Sequence, residues 1–248
     1  QLTRLSGCML NMYSYLCKMN TPLVEVCVES LVSARAAHAG GAGRIELCDR
    51  LDLGGLTPAT DLIRQVKRET SIKLHVFIRP REGNFNYSHK EYQKIQDEIR
   101  ECKDLGVDGI VIGILLPDGS LDVERMSKIL ELATPLSTTF HRAFDEIKDP
   151  ANSVKQIINL GMDRILSSGQ QPEAPQGSEL LQKMIVQAGE ELIIMPGAGL
   201  NTENITEFAR EIRTSEYHGS LRIRQGNSME TTVETVQKFI RNLNLAYS

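Results

Sequence analysis

Three segments of this chain end a helix and begin a strand in the same way: Ala39-Gly40-Gly41-Ala42-Gly43-Arg44-Ile45, Leu105-Gly106-Val107-Asp108-Gly109-Ile110 and Leu160-Gly161-Met162-Asp163-Arg164-Ile165. In each, glycine stands where a helix C-terminus favours it, and a strand follows at once. Duplication of an ancestral unit and convergence on one loop chemistry both account for the repetition. Either way, it fixes where three strands start, and all three carry even numbers in the order of strands along the chain.

Strands are expected at Val24–Val28, Arg44–Cys48, Lys73–Arg79, Gly109–Gly113, Leu136–Ala143, Arg164–Ser168, Leu192–Met195 and around Tyr217-His218. A helical stretch follows each, the last one running from Glu230 to Leu245. Alternation of this kind implies parallel strands joined by helical crossovers. Eight such units favour a closed (β/α)₈ barrel of the TIM type, a single α/β domain over residues 21–248; an open doubly wound sheet is the alternative. Residues 1–20, with Cys8, Met9, Met12, Cys17 and Met19 in no clear period, read as a flexible tail.

A net charge of −4 argues against a general nucleic-acid binder. No apolar run approaches the roughly 20 residues of a membrane span. The five cysteines are odd in number and scattered, unlike a disulfide framework, and a reducing, cytoplasmic setting is expected.

In a TIM-type barrel the functional groups gather at the C-terminal ends of the strands. Those ends are unusually polar here. Alternation along Val24-Glu25-Val26-Cys27-Val28 and Arg44-Ile45-Glu46-Leu47-Cys48 turns Glu25, Cys27, Arg44, Glu46 and Cys48 away from the apolar face. Glu25, Glu46 and His141 are candidate acid–base residues, with an internal salt-bridge network as the plainer alternative for the carboxylates. Arg79, Arg142, Ser168, Gly197, Gly199 and His218 could bind a small anionic ligand, the Pro196-Gly197-Ala198-Gly199 loop serving as a backbone cradle. Cys27 and Cys48 occupy matching places on neighbouring strands, roughly 5 Å apart if in register. Two thiolates without a full tetrahedral set suit Cu(I); two buried, inert cysteines are the plainer alternative.

Together, Glu25-Val26-Cys27-Val28, Arg44-Ile45-Glu46-Leu47-Cys48, Gly54-Gly55-Leu56-Thr57-Pro58, Ile78-Arg79-Pro80-Arg81, Thr139-Phe140-His141-Arg142-Ala143-Phe144-Asp145, Ser168-Gly169 and Met195-Pro196-Gly197-Ala198-Gly199 resemble the CutC copper-homeostasis family. The resemblance implies a (β/α)₈-like barrel, a homo-oligomer (dimer or tetramer), a cytoplasmic location, with a nuclear one as an additional option, and a part in copper tolerance or trafficking. It also implies Cys27 and Cys48 as Cu(I) ligands, with the copper ion as partner. Departures include Ala198 within a run that is usually three glycines, Ser167 for threonine, Asn84 for aspartate, and Gly219 where some relatives carry cysteine. The alternative function is a metal-independent barrel enzyme acting on a small anionic or phosphorylated metabolite with Glu46 and His141 as acid and base.

Overall fold

The computed structural model describes residues 21–226 and 228–248. The tail expected over residues 1–20 lies outside them. Eight strands, β1 (Leu23–Val28), β2 (Arg44–Leu47), β3 (Lys73–Phe77), β4 (Gly109–Ile112), β5 (Ser137–Phe140), β6 (Arg164–Ser167), β7 (Ile193–Pro196) and β8 (Glu216–Gly219), form one parallel sheet. Its order is β7-β6-β5-β4-β3-β2-β1-β8, and β8 also packs beside β7, so the sheet curls into a nearly closed barrel. The helices that alternate with the strands are α1 (Leu31–Ala39), α2 (Thr60–Glu69), α3 (His89–Asp104), α4 (Val123–Ala133), α5 (Pro150–Asn159), α6 (Ser178–Ala188), α7 (Ile205–Glu211) and α8 (Val233–Asn244). Among the described residues no helix is long and apolar enough to cross a membrane.

The repeated joints do what their sequence implies. Gly41, Gly106 and Gly161 sit at φ of 89°, 66° and 74°, a left-handed conformation that costs glycine little. Each donates its N–H to a carbonyl of the last helical turn, as Gly106 does to Lys103 at 3.0 Å and Gly161 to Ile158 at 2.9 Å. In the second and third joints an aspartate follows and ties the joint to the sheet. Asp108 Oδ2 accepts the Leu74 N–H at 2.9 Å, and Asp163 Oδ2 accepts the Thr138 N–H at 2.6 Å. A carboxylate ahead of each of these even-numbered strands thus holds the start of the preceding odd-numbered one.

Alternation sorts the strand side chains into two environments. The outward set, including Val24, Val26, Val28, Ile45, Leu47, Leu74, Val76, Ile110 and Ile112, is buried against the helices in the main apolar core. The inward set is largely polar, which is unusual for a barrel whose interior is normally filled by branched apolar residues.

Two expectations change. A hairpin of β9 (Arg222–Gln225) and β10 (Ser228–Thr231) follows β8, and the closing helix begins at Val233 instead of Glu230. The hairpin is pinned beside the mouth: Arg222 pairs with Glu29 at 3.0 Å, and the Ser33 hydroxyl donates to Glu230 at 2.6 Å.

Candidate metal centre at the barrel mouth

Two layers of polar side chains fill the barrel below its C-terminal rim. The lower layer is ionic. Arg44 of β2 bridges Glu25 of β1 and Glu216 of β8. Arg164 of β6 pairs with Glu216 at 3.1 Å and donates to the hydroxyls of Ser137 and Thr139 at 3.0 and 3.1 Å. All four charged groups are buried. Burial works against the charge on Glu25, but Arg44 and the hydrogen bond from His218 outweigh it and hold the carboxyl far below its usual range. His75 completes the layer. Its ring lies over Gly109, where a Cβ would stand 2.5 Å from Nε2, and burial pushes its pKa down to about 3.

The upper layer holds Cys27, Glu46, Cys48 and His218. Strand register corrects one expectation: Cys27 faces Glu46 across β1 and β2, and Cys48 is a diagonal neighbour. The stagger that closes a barrel sets this offset. The two sulfurs are nonetheless 3.5 Å apart, both buried and unbridged, and Cys48 Sγ also lies 3.6 Å from the Val28 carbonyl. Phe77, Val111 and Leu51 pack around them as a small apolar cluster separate from the main core. The hydrogen bond with Cys48, burial, and the nearby Glu46 carboxyl push the Cys27 thiol well above its usual pKa.

His218 reaches the layer from β8. Its Nδ1 lies 2.7 Å from Glu25 Oε1 and its Nε2 3.9 Å from Glu46 Oε2. Burial opposes a charged imidazole, but Glu46 and Glu25 together raise its pKa. Burial also raises that of Glu46, whose Oε1 is buried with no hydrogen-bond partner. One donor atom each from Cys27, Glu46 and His218 lie within 4.8 Å of one another.

A model described as the CutC family matches residues 22–223. The chain belongs to the CutC family. A CutC protein of Chromobacterium violaceum is 42% identical over 207 residues, 84% of each chain. The mouse protein named copper homeostasis protein cutC homolog is 40% identical over 208 residues, 84% of this chain and 76% of its own. The crystal structure of CutC from Streptococcus agalactiae superposes with a TM-score of 0.76 at 31% identity, covering 80% of this chain and 98% of that one. N-(5′-phosphoribosyl)anthranilate isomerase of Pyrococcus furiosus, with a TM-score of 0.58 at 13% identity, shares the fold alone.

In this CutC chain the residues singled out from sequence fall into separate groups. Cys27, Cys48, Glu46 and His218 meet in the upper layer. Glu25 lies beneath them, committed to Arg44 and His218. Arg79 organises loops: its guanidinium donates to the carbonyls of Leu53, Gly54, Gly55 and Gly83 and stacks on Phe85. Arg142 and Ser168 belong to a hub around Asp145, whose carboxylate also accepts from Ser167 Oγ at 2.6 Å and from the backbone of Gln170 at 3.1 Å.

Gly197 leaves room for Leu166 and His218, and Gly199 lies against the exposed Glu173 side chain, so a carboxylate borders the proposed anion cradle. His141 is buried between Phe77 and Phe85. Its Nδ1 accepts the Ala143 N–H, its Nε2 has no hydrogen-bond partner, and burial together with Arg79 lowers its pKa to about 3. Sequence reasoning missed Glu216, Arg164 and His75 as interior groups. The alternation in Glu216-Tyr217-His218-Gly219 and Lys73-Leu74-His75-Val76-Phe77 carried that signal, since the buried neighbours Tyr217, Leu74 and Val76 mark the outward face.

Proposed function

We propose that this protein is a copper homeostasis protein of the cytoplasm that takes Cu(I) between Cys27 and Cys48 inside the barrel mouth. The carrying observation is the pair of buried, unbridged sulfurs 3.5 Å apart, brought together from two strands. Thiolates are the soft ligands that select Cu(I). The apolar wall of Phe77, Val111 and Leu51 limits water at the sulfurs. The mouse relative's name, copper homeostasis protein cutC homolog, supports the same reading.

Both thiols must lose their protons to bind the ion, so uptake releases protons and strengthens as pH rises. The test is anaerobic Cu(I) titration against a competing chelator, comparing the parent with a Cys27→Ser/Cys48→Ser variant. A stoichiometric Cu(I) complex lost in the variant is expected; equal binding by both proteins would end the proposal.

A further inference from the structure

The thiol pair leaves three features of the upper layer unexplained: the free edge of His218, the unpartnered oxygen of Glu46, and the convergence of both on Cys27. His218 is held by its far nitrogen. With Nδ1 2.7 Å from Glu25 Oε1, the carboxylate accepts an N–H, and the lone pair of neutral imidazole is left on Nε2. Histidine ligands to metals are commonly oriented this way, their second nitrogen donating to a carboxylate. Glu25 is itself fixed by Arg44, and Arg44 by Glu216, so the ring's orientation is secured by a chain of buried charges.

Glu46 supplies the second donor. A buried carboxylate oxygen without a hydrogen bond is uncommon in folded proteins and calls for a reason. Its other oxygen stands 3.9 Å from His218 Nε2, and Cys27 Sγ completes a triad of donor atoms all within 4.8 Å. Donors bound tetrahedrally at about 2.0–2.3 Å stand roughly 3.3–3.8 Å apart. The imidazole–carboxylate edge is already close to that, and the other edges, within 4.8 Å, would close by side-chain rotation of Cys27 and Glu46 as the ion binds. Cys27 and Glu46 face each other in register, and His218 faces Glu25 from the other side of β1, so three adjacent strands supply the set.

We propose that Cys27, Glu46 and His218 form a three-donor site for a divalent cation of the zinc class, with a fourth position open to water or a ligand. One sulfur, one imidazole and one carboxylate suit a borderline-soft divalent ion, and three protein ligands with an open position are the pattern of zinc sites that act on a bound molecule. The site shares only Cys27 with the thiol pair, and Cys48 is not part of it. Its standing therefore does not depend on Cu(I) binding.

The test is anaerobic titration of the full chain with Co²⁺, followed by displacement with Zn²⁺, in a Cys8→Ser/Cys17→Ser background. Expected are the intense visible bands of four-coordinate cobalt, a sulfur-to-cobalt charge-transfer band, and loss of both on adding Zn²⁺. Glu46→Gln and His218→Ala should each weaken Co²⁺ binding by about 10- to 100-fold or more, and Cys48→Ser should leave it intact. Circular dichroism checks that each variant is folded; should His218→Ala not fold, the shape-conserving Glu46→Gln decides.

Co²⁺ bands that are absent, or that persist unchanged in folded Glu46→Gln, overturn the proposal. Cu(I) titration of the same proteins separates the two readings. Cu(I) bound without Co²⁺ sinks this site and spares copper binding, whereas Co²⁺ bound without Cu(I) does the reverse.

Discussion

Acidification should unfold this protein through two imidazoles that the fold keeps neutral. His75 and His141 are both buried, and burial lowers each pKa from 6.5 to about 3. Between those values the unfolded chain carries protons on these rings and the folded chain does not. Stability therefore rises with pH across that window and is lost as pH falls through it. At pH 4.5 each ring sits two units below its ordinary pKa, so each costs about 2.7 kcal/mol relative to neutral pH at 1.36 kcal/mol per unit. The pair costs roughly 5 kcal/mol, comparable to the whole stability of a marginal domain.

Glu46 and His218, whose pKa values are raised, work in the opposite direction on acidification. They are common to parent and variant, so the clean measurement is a difference. His141→Asn keeps an acceptor for the Ala143 N–H and removes the titrating ring. Urea unfolding of both proteins at pH 7 and pH 4.5 should show the variant losing about 2–3 kcal/mol less than the parent over that interval. Equal losses would refute the argument that burial holds His141 neutral.

Other consequences follow from the same two layers. Arg44→Met removes the cation between Glu25 and Glu216, leaving two buried carboxylates short of a partner, and should cost about 3–5 kcal/mol in urea unfolding. Gly113→Ala would place a Cβ 2.7 Å from the His141 ring and should destabilise by about 1–3 kcal/mol, an effect that His141→Asn should reduce. Cu(I) affinity measured against a chelator should rise with pH by about tenfold per unit for each proton released, most visibly while Cys27 holds its proton. A pH-independent affinity would contradict the thiol-pair assignment.

The barrel was legible because its signals are local. Helix-ending glycines and alternating strands each act within a few positions, and they agree along the chain. The hairpin was not legible, because Arg222–Gln225 and Ser228–Thr231 are mostly exposed and show no apolar alternation. Glu230 looked like the start of a helix but lies in β10, where its carboxylate accepts from Ser30 and Ser33.

The candidate site was half legible. Alternation named Cys27, Glu46 and Cys48 as inward residues, but it could not supply the register that sets Glu46 opposite Cys27. Nor could it show that Arg44 would be satisfied by Glu216, a partner on β8 that only closure of the barrel brings near. Arg79 was read as a ligand for an anion; its guanidinium donates to four loop carbonyls, contacts that only the folded loops bring together.

The layering also bears on why the proposed cation site lies at the mouth and not deeper. In the lower layer Glu25 and Glu216 are matched by Arg44 and Arg164, so the charges are balanced. A metal ion there would have to displace a guanidinium that does not give up its proton. One layer higher, burial raises the pKa of Glu46, the hydrogen bond with Cys48 and then burial raise that of Cys27, and the carboxylate neighbours of His218 raise its own.

Groups that hold protons in the folded protein can trade them for a metal ion, which neutralises the charge that burial penalises. Glu25 links the two layers, since one of its oxygens is committed to Arg44 and the other to His218. The ionic layer thus orients the imidazole, and the proton-holding layer provides the exchangeable charge. Exchanging the two layers would set the soft and borderline donors against Arg44, where no cation could compete.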